Sequence, residues 1–116
     1  MNDLALQAAG GVGVITAIIH GALGETKVFA RARIDPARTK LLLRFAWQAG
    51  AVAWAGIGVL LAIAPSMISQ TGRHWIIAVA VTSYGVGAGT NAYATGGRHF
   101  GWMALTLACV LALAGW

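Results

Sequence analysis

The amino-acid sequence predicts an all-α fold, in which four transmembrane helices form an up-and-down bundle and residues 1–116 make a single domain. The first observation is the composition, since 59% of the residues are hydrophobic and only 9% are charged. About a quarter of the residues in a soluble domain are charged, and a disordered chain is much less hydrophobic. The second observation is that the charged residues leave four long uncharged runs, at 4–24, 45–72, 74–97 and 99–116.

These runs predict membrane spans at about residues 4–24, 41–64, 74–94 and 99–116. A helix needs roughly 20 apolar residues to cross the hydrocarbon core of a bilayer, and each run is that long or nearly so. Lipid offers the backbone no hydrogen-bond partners, so a span is a helix or part of a closed barrel. The runs lack the alternating pattern of barrel strands. The first run is expected to be a full span and not a cleaved signal peptide, because no basic residue precedes it.

Local signals predict where the helices begin and end. Asp35-Pro36 is typical of an N-cap followed by proline at the first helical position, so the second long helix should begin there. Pro65 should end that helix, because proline lacks a backbone donor. Thr71 or Gly72 should cap the third helix, and Gly96-Gly97 should stop it.

The basic residues predict the orientation in the membrane. Short loops rich in Lys and Arg stay in the cytoplasm, which places the first and third connections inside and both termini on the periplasmic side. The expected location is the inner membrane of a bacterium. The net charge of +5 then reflects topology, and the predicted partner is the lipid bilayer, with attraction to anionic headgroups, and not nucleic acid. Six of the eight basic residues lie in the first connection: Lys27, Arg31, Arg33, Arg38, Lys40 and Arg44.

Small residues recur four positions apart in three of the predicted helices. Such rows let membrane helices approach closely, and two interpretations remain open. The favoured one is packing within the bundle, and the other is a face that forms a homo-oligomer or docks in a larger membrane complex. The rows are Gly13, Ala17 and Gly21; Ala46, Gly50 and Trp54; and Gly85 and Gly89, followed by Tyr93.

Polar side chains at membrane depth are the candidate functional residues, because each is costly there. His20, Glu25, Arg44 and His99 should lie near the cytoplasmic face. They could form a haem or metal site with His20 and His99 as ligands and Glu25 as a further ligand or hydrogen-bond partner. The favoured alternative is a Glu25–Arg44 ion pair, together with histidines that hydrogen-bond and cap loops. Asn91 should bond across to another helix or line a small polar cavity.

No catalytic constellation can be placed, so we expect that the protein is not an enzyme, and no metal site is assigned. No Asp, Glu, Lys or Arg falls in the middle of a span. This argues against a small multidrug transporter, since those proteins centre on an acidic residue in the first span.

Three short stretches carry a resemblance to a family. They are His20–Glu25, Arg44–Trp47 and Gly97–His99, which read H-x-x-L-G-E, R-F-x-W and G-R-H. Together they resemble the motifs of an uncharacterised family of small bacterial four-span membrane proteins, over nearly the whole chain. The resemblance implies a bacterial inner-membrane protein, and it implies no activity and no catalytic residue.

Three functions remain open on the sequence. The expected one is a membrane protein that acts by helix–helix interaction, as an oligomer or an accessory subunit. The second is a haem- or metal-binding membrane protein that uses His20 and His99. The third is a small transporter or channel with a cavity near Asn91.

Overall fold

A computed structural model describes residues 2–67 and 69–116, and this part of the chain contains helices and no strand. The predicted all-α class is therefore confirmed. A π-helical turn, Gly24–Val28, joins the first two helices, and a 3-10 turn, Ala64–Ser66, follows the third. The helices are α1 (Asp3–Leu23), α2 (Phe29–Arg31), α3 (Ala37–Ile63), α4 (Gln70–Thr95) and α5 (Gly101–Ala114).

The start of α3 differs from the prediction by one position. Pro36 has an extended backbone with φ −70° and ψ 162°, so it occupies the cap position and the first helical residue is Ala37. The expectation that Asp35 caps this helix is wrong, because the residue at the cap is Pro36 and no side chain makes a capping hydrogen bond there.

The cap of α4 also differs from the prediction. Ser69 takes the cap position, and its hydroxyl oxygen accepts a hydrogen bond from the backbone N–H of Gly72 at 3.2 Å. Thr71 and Gly72 therefore lie within the first turn of the helix. A serine in extended backbone places its oxygen over the third helical N–H, and Ser69 is the residue that takes this position.

The predicted ends of the two longest helices are confirmed. The regular part of α3 finishes at Ile63, and Pro65 lies in the 3-10 turn that follows. Gly96 and Gly97 have φ of 58° and 74°. This left-handed backbone conformation is unfavourable for a residue with a Cβ atom but not for glycine, so α4 ends there.

Consecutive long helices run in opposite directions. Trp47, near the start of α3, hydrogen-bonds to His20 near the end of α1. Gly115, just after α5, lies against Leu6 near the start of α1. Seven of the eight Lys and Arg residues therefore gather where α1 finishes and α3 and α5 begin, which we call the basic end.

One core joins the four long helices. α1 lies between α3 and α5, α4 packs on α5, and a smaller contact joins α4 to α3. The Tyr84 side chain fills the centre, where its hydroxyl donates to the backbone oxygen of Trp54 at 2.9 Å and its ring covers Gly13. The largest fully buried side chains are those of Tyr84, Leu6, Leu61, Ile77 and Leu105.

The outer surface of the helices is apolar. Large hydrophobic side chains are exposed on every long helix, including Leu4, Val52, Trp75, Val86 and Val110. Two helical segments, Asp3–Arg31 and Ala37–Ser66, are long and apolar enough to cross a membrane by length and composition. α5 is apolar but shorter, with 14 residues.

The rows of small residues on α1 and α4 have different surroundings. In the first helix, Gly13 faces the Tyr84 ring, and a Cβ atom at Gly21 would lie 3.0 Å from Gln48 Oε1, so this row serves packing within the molecule. On α4, a Cβ atom at Gly85 or Gly89 would meet no atom within 4 Å. That row faces outward.

Candidate functional site

A cavity of about 160 Å³ lies at the basic end, between the end of α1, the central part of α3, the end of α4 and the start of α5. Most of its wall is apolar, and five polar side chains interrupt it. His20, Asn91 and His99, three of the candidate residues from the sequence, all line it. Its polar and aromatic lining residues are Thr16, His20, Trp47, Trp54, Asn91, Thr95, His99 and Phe100.

The His20 ring is held between two tryptophans of α3. It stacks face to face on Trp47, with ring centroids 4.1 Å apart and an angle of 5° between the planes. Trp54 packs against it at 4.8 Å with a tilt of 44°. The Trp47 indole N–H also donates to the backbone oxygen of His20 at 2.9 Å. Neither ring nitrogen of His20 hydrogen-bonds to another described residue, so both are free for a ligand.

The His99 ring caps the start of α5. Its Nδ1 accepts a hydrogen bond from the backbone N–H of Gly101 at 3.1 Å. A neutral imidazole carries one proton, so Nδ1 as acceptor leaves the proton on Nε2. The prediction that a histidine hydrogen-bonds to a loop backbone is confirmed here. His99, which lines the cavity, keeps one N–H donor.

Asn91 joins α4 to α5. Its Oδ1 accepts from the backbone N–H of Trp102 at 3.1 Å, which confirms the predicted bond to another helix. Of the two terminal atoms of the Asn91 amide, only the oxygen can accept from that N–H. This fixes the orientation of the amide and leaves its NH₂ group as a donor. Within residues 2–67 and 69–116, that NH₂ group has no hydrogen-bond partner.

Glu25 and Arg44 form the expected ion pair outside the cavity. Arg44 Nε lies 2.8 and 3.0 Å from the two carboxylate oxygens, and Arg44 Nη2 binds the same carboxylate. Gln48 Nε2 also donates to Glu25 at 2.8 Å and to the backbone oxygen of Gly21 at 3.0 Å. Hydrogen bonds from Arg44 and Gln48 hold the pKa of the Glu25 carboxyl below its usual value. The Glu25 carboxylate is therefore committed to α3 and does not join His20 and His99.

A second ion pair lies at the opposite end of the molecule. Arg73 is buried, and its Nη2 pairs with the Asp3 carboxylate at the start of α1. Its Nε has no hydrogen-bond partner among the described residues. His74 stacks on Trp116 next to it, with ring centroids 4.4 Å apart. His74 therefore lies at the end of the molecule opposite to His20 and His99.

Five polar or aromatic residues of the cavity were not predicted from the sequence: Thr16, Trp47, Trp54, Thr95 and Phe100. Gln48, which donates to Glu25 outside the cavity, was not predicted either. Gln48 lies one helical turn after Arg44, and i, i+4 spacing places both on one face of α3, which was the available signal. Trp54 lines the cavity because of the way α3 is rotated about its own axis. No feature of the sequence indicates that rotation.

The arrangement fits a small ligand better than a haem or a metal. The cavity is about the size of a roughly 150 Å³ protein cavity that binds benzene, and it is smaller than the roughly 300–1,000 Å³ typical of pockets for larger organic ligands. Among the described residues, no group of three His, Cys, Asp or Glu side chains could hold a metal ion.

Comparisons with protein-family models, with curated proteins and with solved structures found no match.

Proposed function

We propose that the protein is an integral membrane protein whose four long helices form an up-and-down transmembrane bundle in a bacterial inner membrane. The exposed apolar side chains on every long helix support this, because an extended apolar surface is unfavourable in water and favourable in lipid. The two segments long enough to cross a bilayer support it as well. In this proposal the basic end faces the cytoplasm.

We infer that this membrane protein binds a small molecule in the cavity at its basic end. The observation that carries this inference is that polar side chains from three elements, His20, Asn91 and His99, meet on one largely apolar cavity. Ligand sites have this character, since apolar walls supply affinity and a few polar groups orient the ligand. His20 and His99 then act as hydrogen-bonding groups for the ligand.

The first test of ligand binding is native mass spectrometry of protein released from membranes in a mild detergent. We expect a bound small organic molecule, and we expect the His20→Leu variant to lose it while it keeps its helical content. A bare mass, together with no saturable response of Trp47 or Trp54 to added ring-sized molecules, would contradict the proposal.

The membrane topology has a separate test. Alkaline phosphatase fused after Trp116 should be active, because both termini are proposed to face the periplasm. A fluorescent cytoplasmic reporter at the same position should stay dark. The opposite pattern would reverse the proposed orientation without affecting the cavity.

A second candidate function is assembly with other copies or subunits through α4 and α5. A specific observation favours it, since a groove with Gly85 and Gly89 on its floor runs along the outside of these helices and also contains Cys109. Close helix approach over such glycines is a known mode of membrane association.

Cys109 is the single cysteine of the chain, so a short thiol cross-linker should join two copies in native membranes if this face makes a homodimer. Gly85→Leu should abolish the cross-link. The matched control is a Cys109→Ala, Val52→Cys variant, which moves the thiol to an exposed position on α3. Equal cross-linking from both positions would show random collision.

A further inference from the structure

Two of the polar side chains that line the cavity, His99 and Asn91, retain unused hydrogen-bond donors. His99 uses Nδ1 as an acceptor for Gly101, and Asn91 uses Oδ1 as an acceptor for Trp102. The His99 Nε2–H and the Asn91 NH₂ therefore remain, and the Thr16 hydroxyl, which bonds to no described residue, can donate as well. A ligand that matches these donors carries acceptor oxygens.

The charge of the wall favours a neutral ligand with partial negative charge on those oxygens. Among its described lining residues none is Asp, Glu, Lys or Arg, so a full charge on the ligand would be buried without a partner, which is costly. The N-terminus of α5 lies at the cavity, since Gly101 lines it. The positive end of the helix dipole there favours a carbonyl oxygen.

The shape of the cavity favours a single flat ring. Trp47, Trp54 and Phe100 supply aromatic walls, and aromatic faces pack well on planar rings. A volume of about 160 Å³ is close to that of a cavity that binds benzene, so it holds one six-membered ring whose substituents extend toward the opening. Val28 and Phe100 line the cavity and are also 39% and 46% exposed, so the ring can enter there and a substituent such as a lipid tail can extend outward.

We propose that the cavity binds a neutral, planar ring with carbonyl oxygens, the chemical class of a membrane-soluble quinone head group. This inference rests on the proposed function, because it names the ligand class for the same cavity. The ring lies between the aromatic walls, and the His99 Nε2–H and the Asn91 NH₂ donate to its carbonyl oxygens.

The test compares two ring molecules of nearly the same shape. Duroquinone and durene share a six-membered ring with four methyl groups, and only duroquinone has carbonyl oxygens. Each is titrated into full-length protein in detergent micelles, and the indole N–H signals are followed by NMR with ¹⁵N-labelled tryptophan. Concentrations are expressed within the micelle, so that partitioning does not enter the comparison. Trp75 and Trp116, at the opposite end, serve as internal controls.

We expect duroquinone to shift the Trp47 and Trp54 signals saturably and to bind about tenfold more tightly than durene, the effect of one or two net hydrogen bonds. His99→Asn should reduce duroquinone affinity several-fold and leave durene unchanged. Asparagine can still cap Gly101 but lacks the imidazole Nε2–H.

Two other outcomes would overturn the inference at different levels. Equal binding of durene and duroquinone would reject the carbonyl-bearing ligand class and leave a small-molecule cavity intact. No saturable shift of Trp47 or Trp54 with either ring, or equal shifts of all five tryptophans, would reject the proposed function as well.

Discussion

The imidazole of His20 lies flat on the indole of Trp47, and the same indole donates its N–H to the His20 backbone oxygen. The two residues are 27 positions apart, and they join α1 to α3 at the wall of the cavity. One side chain thus orients the histidine and also satisfies a backbone carbonyl of the adjacent helix. This contact connects the H-x-x-L-G-E and R-F-x-W stretches in space.

Replacing Trp47 should test how much this contact stabilises the protein. Trp47→Phe keeps part of the stack and loses the hydrogen bond, so we expect a loss of about 1 kcal/mol. Trp47→Ala removes the packing as well and should cost about 3 kcal/mol or more. Thermal unfolding in detergent measures both. Trp75→Phe is the control, since Trp75 is 69% exposed, and an equal loss in that variant would contradict the prediction.

Neighbouring glycines in α1 should respond in opposite ways to alanine. A Cβ atom at Gly10 would collide with the backbone of α3 at Gly58 and Ala62, whereas one at Gly11 would meet nothing within 4 Å. Gly10→Ala should therefore destabilise the protein by about 1–3 kcal/mol. Gly11→Ala should be neutral or stabilise by about 0.5–1 kcal/mol. The midpoints of thermal unfolding compare the two, and similar values would show that α1 and α3 do not cross at Gly10.

The Glu25–Arg44 pair should make stability depend on pH at the acidic side. The pKa of Glu25 is lower in the folded protein than its ordinary value of 4.5. The ionised carboxylate therefore stabilises the fold fully at pH values above 4.5. The contribution disappears as the pH falls through the lowered pKa, where the folded state takes up the proton. Unfolding of wild type and Glu25→Gln should thus differ at pH 7 and converge at strongly acidic pH. A constant difference would exclude this origin.

Replacing Asp3 and replacing Arg73 should destabilise the protein by different amounts. Asp3→Asn leaves the buried Arg73 guanidinium without its anion, so we expect a loss of about 1–3 kcal/mol. Arg73→Met removes the charge and the unpaired Nε together, and should cost less. Chemical unfolding of both variants and of the double variant measures the order. A larger loss for Arg73→Met than for Asp3→Asn would contradict it.

The sequence by itself determined the features that depend on neighbouring residues and on composition. Few charges and long apolar runs predicted the all-α class and the long helices, while Pro65 and Gly96-Gly97 predicted helix ends. These signals act within one or two helical turns, where the steric limits of the backbone determine whether a helix continues or ends. The same local logic failed at α4, because Ser69, two positions before Thr71, offered a cap of equal chemistry.

Only the tertiary structure decided which polar residues share a site. The candidates His20, Asn91 and His99 were chosen from their depth along the chain, and folding brought them to one cavity while it directed Glu25 to Arg44 and Gln48. Helices that are apolar on every side show no polar stripe to reveal which face turns inward. Their rotation is set by close contacts such as Gly10 against Gly58, which involve residues far apart in sequence. Side-chain packing between helices, and not the pattern within any one of them, therefore makes the site.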